Sequence, residues 1–202
     1  MNRILYIAGL AAALLSFAAS ADAVTWHNTG DTAFSMTGGS MAFTSTAVTL
    51  GCTGGDSAGT APAGSFVGAT LSMTFTTTYT GCIISGAPWP WECSRTFTAT
   101  SQPAAGQTNG QLDTTCRVYA GSTLICHVEG TVPATYLNPV PPSTPGRFTL
   151  PTSTTLKFTQ GAVGNCPMGN NDLMHMTQST FTVSAGTGGP TPHFGPYITR
   201  TP

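Results

Sequence analysis

Thr70-Leu71-Ser72-Met73-Thr74-Phe75-Thr76-Thr77-Thr78-Tyr79-Thr80 alternates between two kinds of side chain. Leu71, Met73, Phe75 and Tyr79 fall on one set of positions, and Thr70, Ser72, Thr74, Thr76, Thr78 and Thr80 fall on the other. A period of two belongs to a β-strand with one buried and one solvated face. The same reading applies to Thr96 through Thr100, to Thr155-Leu156-Lys157-Phe158-Thr159 and to Thr180-Phe181-Thr182-Val183. Arg117 to Val128 reads as a hairpin turning near Ala120-Gly121-Ser122. Trp26, Phe34, Phe43 and Val48 mark opening strands, and Pro196-Tyr197-Ile198-Thr199 a closing one. Beyond residue 23 no window shows helical periodicity over three turns. Many short strands divided by Gly and Pro turns predict an all-β fold: a single antiparallel β-sandwich, Ig-like or barrel-like.

Two stretches read as loops. Residues 51–64 are rich in Gly, and residues 133–146 carry Pro139, Pro141, Pro142 and Pro145, which disfavour regular pairing.

The chain looks internally duplicated, over about residues 41–101 and 115–185. Cys82 precedes Phe97, and Cys166 precedes Phe181, by 15 residues, each Phe being flanked by Thr. Cys52 and Cys126 each close a Thr-Leu-x-Cys run. Each half is small for an independent core, so the expectation is one sandwich of two related halves over residues 24–202, with two tandem modules as the alternative. Equivalent halves pair Cys52 with Cys82 and Cys126 with Cys166, leaving Cys93 for Cys116. The rival pattern closes local hairpins, Cys82 to Cys93 and Cys116 to Cys126.

Arg3, an apolar stretch from Ile4 through Ala19 and the small-residue run Ala21-Asp22-Ala23 predict a secretory signal over residues 1–23, cut before Val24. All 6 cysteines lie beyond it, and an even number in an exported chain argues for disulfides. No later stretch approaches the roughly 20 apolar residues of a membrane-spanning helix. A secreted protein, extracellular or periplasmic and free of cofactor, is therefore expected.

Only 6% of the residues are charged and the net charge is −1, so no basic stripe exists to collect phosphates. Nucleic acid and anionic membranes are thereby disfavoured as partners. Thr, Ser and Gly replace the charges, and β-branched Thr suits a strand while offering a hydroxyl to water.

Candidate sites are few. Gly55-Asp56-Ser57-Ala58-Gly59 behind Cys52 is superficially like the nucleophile loop of chymotrypsin-like proteases, but only His27 and Asp31 precede Ser57, and the same residues describe an ordinary turn. Met174-His175-Met176, with Met168 and His193, offers soft ligands for copper, yet alternation on a strand splits that set, and no metal site is expected. Asn170-Asn171-Asp172 reads as a polar turn rather than a calcium loop. Glu92, Asp113 and Glu129 are the pool of acids for glycoside hydrolysis, and each reads equally as a surface residue. Pro88-Trp89-Pro90-Trp91-Glu92 is the most unusual surface candidate: the prolines hold the segment extended, so Trp89 and Trp91 either display their rings to a ligand or plug an end of the fold beside Cys93.

Thr32-Ala33-Phe34-Ser35, then Val48-Thr49-Leu50-Gly51-Cys52-Thr53, then Thr80-Gly81-Cys82 followed by a Pro-Trp segment, resembles the secreted proteins of pseudomonads named as alkane-oxidation activators. It is also similar to exported bacterial β proteins with paired cysteines. The likeness covers roughly the first half of the chain beyond the signal; the second half is longer and carries extra cysteines. The resemblance implies an extracellular or matrix-associated protein and carries over no catalytic residue. Together with the composition it leads to the expectation of a non-catalytic surface, matrix or adhesion-assembly protein that binds an extracellular protein, a polysaccharide or its own copies. The alternative is an extracellular carrier or binding module for a hydrophobic or carbohydrate ligand.

Overall fold

The computed structural model describes residues 24–38, 40–44, 49–68, 70–84, 86–151, 154–158, 173–177, 180–190 and 193–202. The proposed signal, residues 1–23, lies outside the described residues, as do Val48, Cys166, Met168 and Asn170-Asn171-Asp172. Every described regular element is a strand. They run β1 (Thr25–Asn28), β2 (Ala33–Gly38), β3 (Met41–Thr44), β4 (Thr49–Cys52), β5 (Gly54–Thr60), β6 (Gly64–Val67), β7 (Ser72–Thr80), β8 (Ile83–Ile84) and β9 (Ala87–Pro88). There follow β10 (Trp91–Ala104), β11 (Gln107–Ala120), β12 (Thr123–Leu137), β13 (Arg147–Thr149), β14 (Thr154–Phe158), β15 (Leu173–Thr177), β16 (Thr180–Thr187) and β17 (Ile198–Thr201).

The pairings close on themselves. β2 and β3 keep one register against β5 and β4, so each couple acts as one long interrupted stave, and β7 with β8 continues it on the next side. β7 pairs with β10, β10 with β11 and β11 with β12. β12 then pairs with β13 and β14, these with β16 and β15, and the last two with β2 and β3. Every ladder is antiparallel and each stave lies beside its neighbour in sequence. The predicted all-β, antiparallel, disulfide-stapled fold is thus formed in its barrel-like version, an up-and-down barrel of eight staves. β1, β6 and β17 form a separate small sheet across the end at which staves β2, β5, β7 and β16 begin or finish.

Inside, the period-two residues of β7 are buried as predicted, and Thr77 joins them. Trp91, Phe97, Tyr136, Phe148 and Phe181 fill the lumen, and the Phe148 ring sits 5.2 Å from Phe75, 5.2 Å from Phe97 and 4.7 Å from Tyr136. A barrel of this strand number has an interior just wide enough for side chains.

The two disulfides with both ends among the described residues join directly opposed positions on neighbouring staves. Cys52–Cys82 ties the β4 stave to the β7–β8 stave, and Cys93–Cys116 ties β10 to β11. These are the repeat-derived pairs; the hairpin pairs Cys82 to Cys93 and Cys116 to Cys126 do not form. Cys126 is also disulfide-bonded.

Two predicted loops are shorter than expected. Residues 54–60 form β5, because small residues there let rings from the next stave close in: a Cβ on Gly59 would lie 2.6 Å from Phe75 Cβ, and one on Gly55 2.9 Å from Tyr79 Cδ1. Pro133 lies within β12, between the part of that strand paired by β13 and the part paired by β14, so the loop begins only at Asn138. The predicted turn at Gly121 is present, with φ of +61°.

Candidate binding surface

Strand alternation sends every second side chain of the barrel wall outward, and on five adjacent strands those side chains are almost all hydroxyl-bearing or acidic. Thr60, Thr74, Thr96, Asp113 and Thr131 stand in one row across β5, β7, β10, β11 and β12. Ala58, Thr76, Ser94, Thr115 and Glu129 form the next row, and Asp56, Thr78, Glu92, Arg117 and His127 a third. Neighbours within a row are roughly 4.8 Å apart and rows roughly 6.8 Å apart, as pleated-sheet geometry requires. Thr60 and Thr74 share a hydroxyl hydrogen bond of 3.2 Å, and the Thr131 hydroxyl donates to Asp113 Oδ1. A shallow depression of about 560 Å³ lies over Thr60, Thr74, Thr76, Ser94, Thr96 and Asp113. A second, of about 510 Å³, continues the surface past Asn109, Gln111 and Thr135.

The three acids named from the sequence all lie on this outer wall. Glu92 is opposite Arg117, Asp113 is held by Thr131, and Glu129 stands 3.8 Å from the His127 ring. The alternation of β7 announced a solvated threonine face, whereas the sequence reading placed ligand binding at Trp89 and Trp91; the register that aligns five strands of this surface was not in that signal.

The two tryptophans part company. Trp91 opens β10 and is 1% exposed, packed in the core between Tyr79 and Val118 on the flanking strands. Trp89 is half-buried against the core's edge, and its backbone N–H donates to Cys82 O at 3.0 Å. Ala87–Pro88 pairs with Ile83–Ile84, so part of this segment belongs to a ladder rather than standing off it.

Ser57 faces the lumen, 5% exposed and hydrogen-bonded through its hydroxyl to Thr77 Oγ1 at 2.8 Å. Its stretch is strand, not a turn. Met174, His175 and Met176 sit on β15, whereas His193 lies past the other end of the same stave, where its Nδ1 is 2.6 Å from buried Asp31 Oδ1. Asp31 Oδ2 also accepts the Gly195 N–H at 2.7 Å, so this pair fastens the segment leading into β17. Among the described residues no group of three or more His, Cys, Asp or Glu is placed to hold a metal ion.

Sequence reasoning missed Arg95. Its guanidinium is 2% exposed inside the barrel, donating to Thr77 Oγ1 at 2.6 Å and to the Tyr79 hydroxyl. It lies 5.2 Å from the Phe181 ring centroid and 5.4 Å from that of Tyr79. No carboxylate among the described residues forms an ion pair with it, so hydroxyls and aromatic faces carry the charge. Burial raises the Tyr79 phenol pKa, with the charge of Arg95 and its hydrogen bond working in the opposite direction.

No protein-family model, no curated protein and no solved structure matches the chain.

Proposed function

We propose that the protein is an exported, non-catalytic component of the cell surface or extracellular matrix that acts by binding, and that its partner is a polysaccharide. The observation that carries this reading is the outer wall: aligned rows of hydroxyls with a few acids and amides, forming a continuous shallow surface. Such a surface matches a polyhydroxylated chain, which it meets by many modest hydrogen bonds, and its low charge suits a ligand recognised without strong electrostatics. The side-chain-filled lumen supports a role at the surface over internal carriage of a ligand. Disulfides support an oxidising compartment. Among the described residues no helix is long and apolar enough to cross a membrane.

The test is co-sedimentation of the disulfide-intact protein with insoluble polysaccharides and with extracellular polysaccharide from its own host. Binding should be retained at high salt and lost in Thr74→Lys/Thr96→Lys, with the thermal transition unchanged. A protein that binds none of these polymers overturns the reading.

A further inference from the structure

A closed barrel has no free edge, but the small sheet across its end does. Its strand order is β17-β1-β6, so β17 and β6 are its two borders. The β17 border is closed by side-chain amides that imitate a neighbouring strand. Gln102 Nε2 donates to Ile198 O at 3.1 Å while its Oε1 accepts the Arg200 N–H at 2.8 Å. Asn138 does the same at Ile198, with Nδ2 donating to its carbonyl and Oδ1 accepting its N–H at 2.9 Å.

Among the described residues β6 has none of these devices. Antiparallel ladders alternate bonded and non-bonded pairs, and the Gly68 N–H donating to Val24 O at 2.9 Å sets the phase. Gly68, Phe66 and Gly64 therefore turn their backbone groups toward β1, and Ser65 and Val67 turn theirs outward. The strand reads Gly64-Ser65-Phe66-Val67 without a charge, and Val67 is 68% exposed. An uncharged, uncovered edge is a template for another strand.

We infer that β6 is a self-association edge, at which a second copy of this chain adds its own β6 antiparallel about a two-fold axis at Phe66. In that register Ser65 faces Val67 of the copy and Val67 faces its Ser65. Two N–H groups and two carbonyls on each side then satisfy one another in four hydrogen bonds, the isologous arrangement that a closed dimer requires. Phe66 meets its own copy across the axis, extending the half-buried apolar face it shares with the core. The edge carries no charge to repel its copy or to select an oppositely charged partner. This surface is separate from the threonine-rich wall.

The test is sedimentation velocity on the disulfide-intact protein over a concentration series, with residue-resolved amide exchange. A reversible dimer is expected, with exchange at Ser65 and Val67 slowing as concentration rises. Ser65→Pro removes the outward N–H, leaving the β1 backbone ladder but taking away the hydroxyl that bonds His27 Nδ1 at 2.7 Å, and Val67→Lys sets a cation at an exposed position. Ser65→Pro should weaken the dimer about tenfold by removing one backbone hydrogen bond from each copy, and Val67→Lys should weaken it by a similar factor because the two-fold axis brings two like charges together. A Thr98→Lys control on the barrel wall should leave the dimer unchanged. A protein that stays monomeric at the highest concentration, with both amides exchanging freely, overturns the inference, as does a dimer indifferent to both edge variants. Polysaccharide binding by monomeric Val67→Lys keeps the two readings apart: a dimerising protein that binds no polymer overturns the surface function alone, and a polymer-binding monomer overturns this inference alone.

Discussion

The two faces of one wall differ more than any two ends of this molecule. On β7, Met73, Phe75, Thr77 and Tyr79 point into a lumen crowded with rings, while Thr74, Thr76, Thr78 and Thr80 point out to solvent. The inner face is buried among contacting rings, so it supplies stability and orders the staves. The outer face is nearly free of packing constraint and makes two side-chain hydrogen bonds with its own neighbours near the depression, so its hydroxyls remain available to a ligand. Recognition and stability are thereby separated residue by residue, with a spacing of one along each strand.

The sharpest way to break that division is to truncate an inner ring. Phe148→Ala and Trp91→Ala should each cost about 3–5 kcal/mol in denaturant unfolding, as large core deletions do, whereas half-buried Trp89→Ala should cost clearly less. Equal losses for Trp89 and Trp91 would erase the distinction between plug and rim.

Removing the Cys93–Cys116 bridge, by replacing both cysteines with Ala, should cost about 3 kcal/mol for a loop of this length. Unfolding midpoints of oxidised and substituted protein measure it.

Tyr79→Phe takes away an acceptor from the buried Arg95 charge and should cost about 1–3 kcal/mol, while Arg95→Met should be milder than that or even stabilising, because it removes charge and partner need together. If Arg95→Met proves the more damaging substitution, the cation is holding the staves together rather than being tolerated by them.

Alkaline titration tests the same interior. Burial raises the pKa of both Tyr79 and Tyr136 above the ordinary 10.0, with the Asp31 charge adding to the rise for Tyr136. A raised folded-state pKa means that the unfolded chain releases its protons first, so stability is intact below pH 10 and falls above it. The slope should reach about 1.4 kcal/mol per pH unit for each tyrosine. Flat stability to pH 12 would show that these phenols reach solvent. Outer-wall changes are the smallest in stability: Thr74→Lys or Thr96→Lys should stay within about 0.5 kcal/mol of the parent while altering polymer binding.

Much of this division was legible along the chain. The alternation in β7 announced both its faces, and Gly121 announced the turn between β11 and β12, since each depends on local backbone geometry. Arg95 was overlooked although the inward set Trp91-Cys93-Arg95-Phe97-Ala99 contains it; Ser94-Arg95-Thr96 has the composition of a surface segment, and composition outweighed period. The glycines of β5 read as a loop because the rings that cover Gly55 and Gly59 come from another strand. The unprotected edge at β6 was invisible for a related reason, since an edge exists only relative to the neighbours a strand lacks.

Local properties of the sequence therefore determined the strand class, the threonine-rich exterior, the oxidised cysteines and the position of the main hairpin, because period, turn chemistry and side-chain type act over a few residues. Tertiary structure alone decided that the ladder closes into a barrel, that Trp91 is core and Trp89 its rim, that a lone guanidinium rests among aromatic rings, and that one border of the small sheet is capped while the other stays open. Each of those outcomes depends on partners far apart in the chain, whose meeting is set by register and closure rather than by the residues on either side.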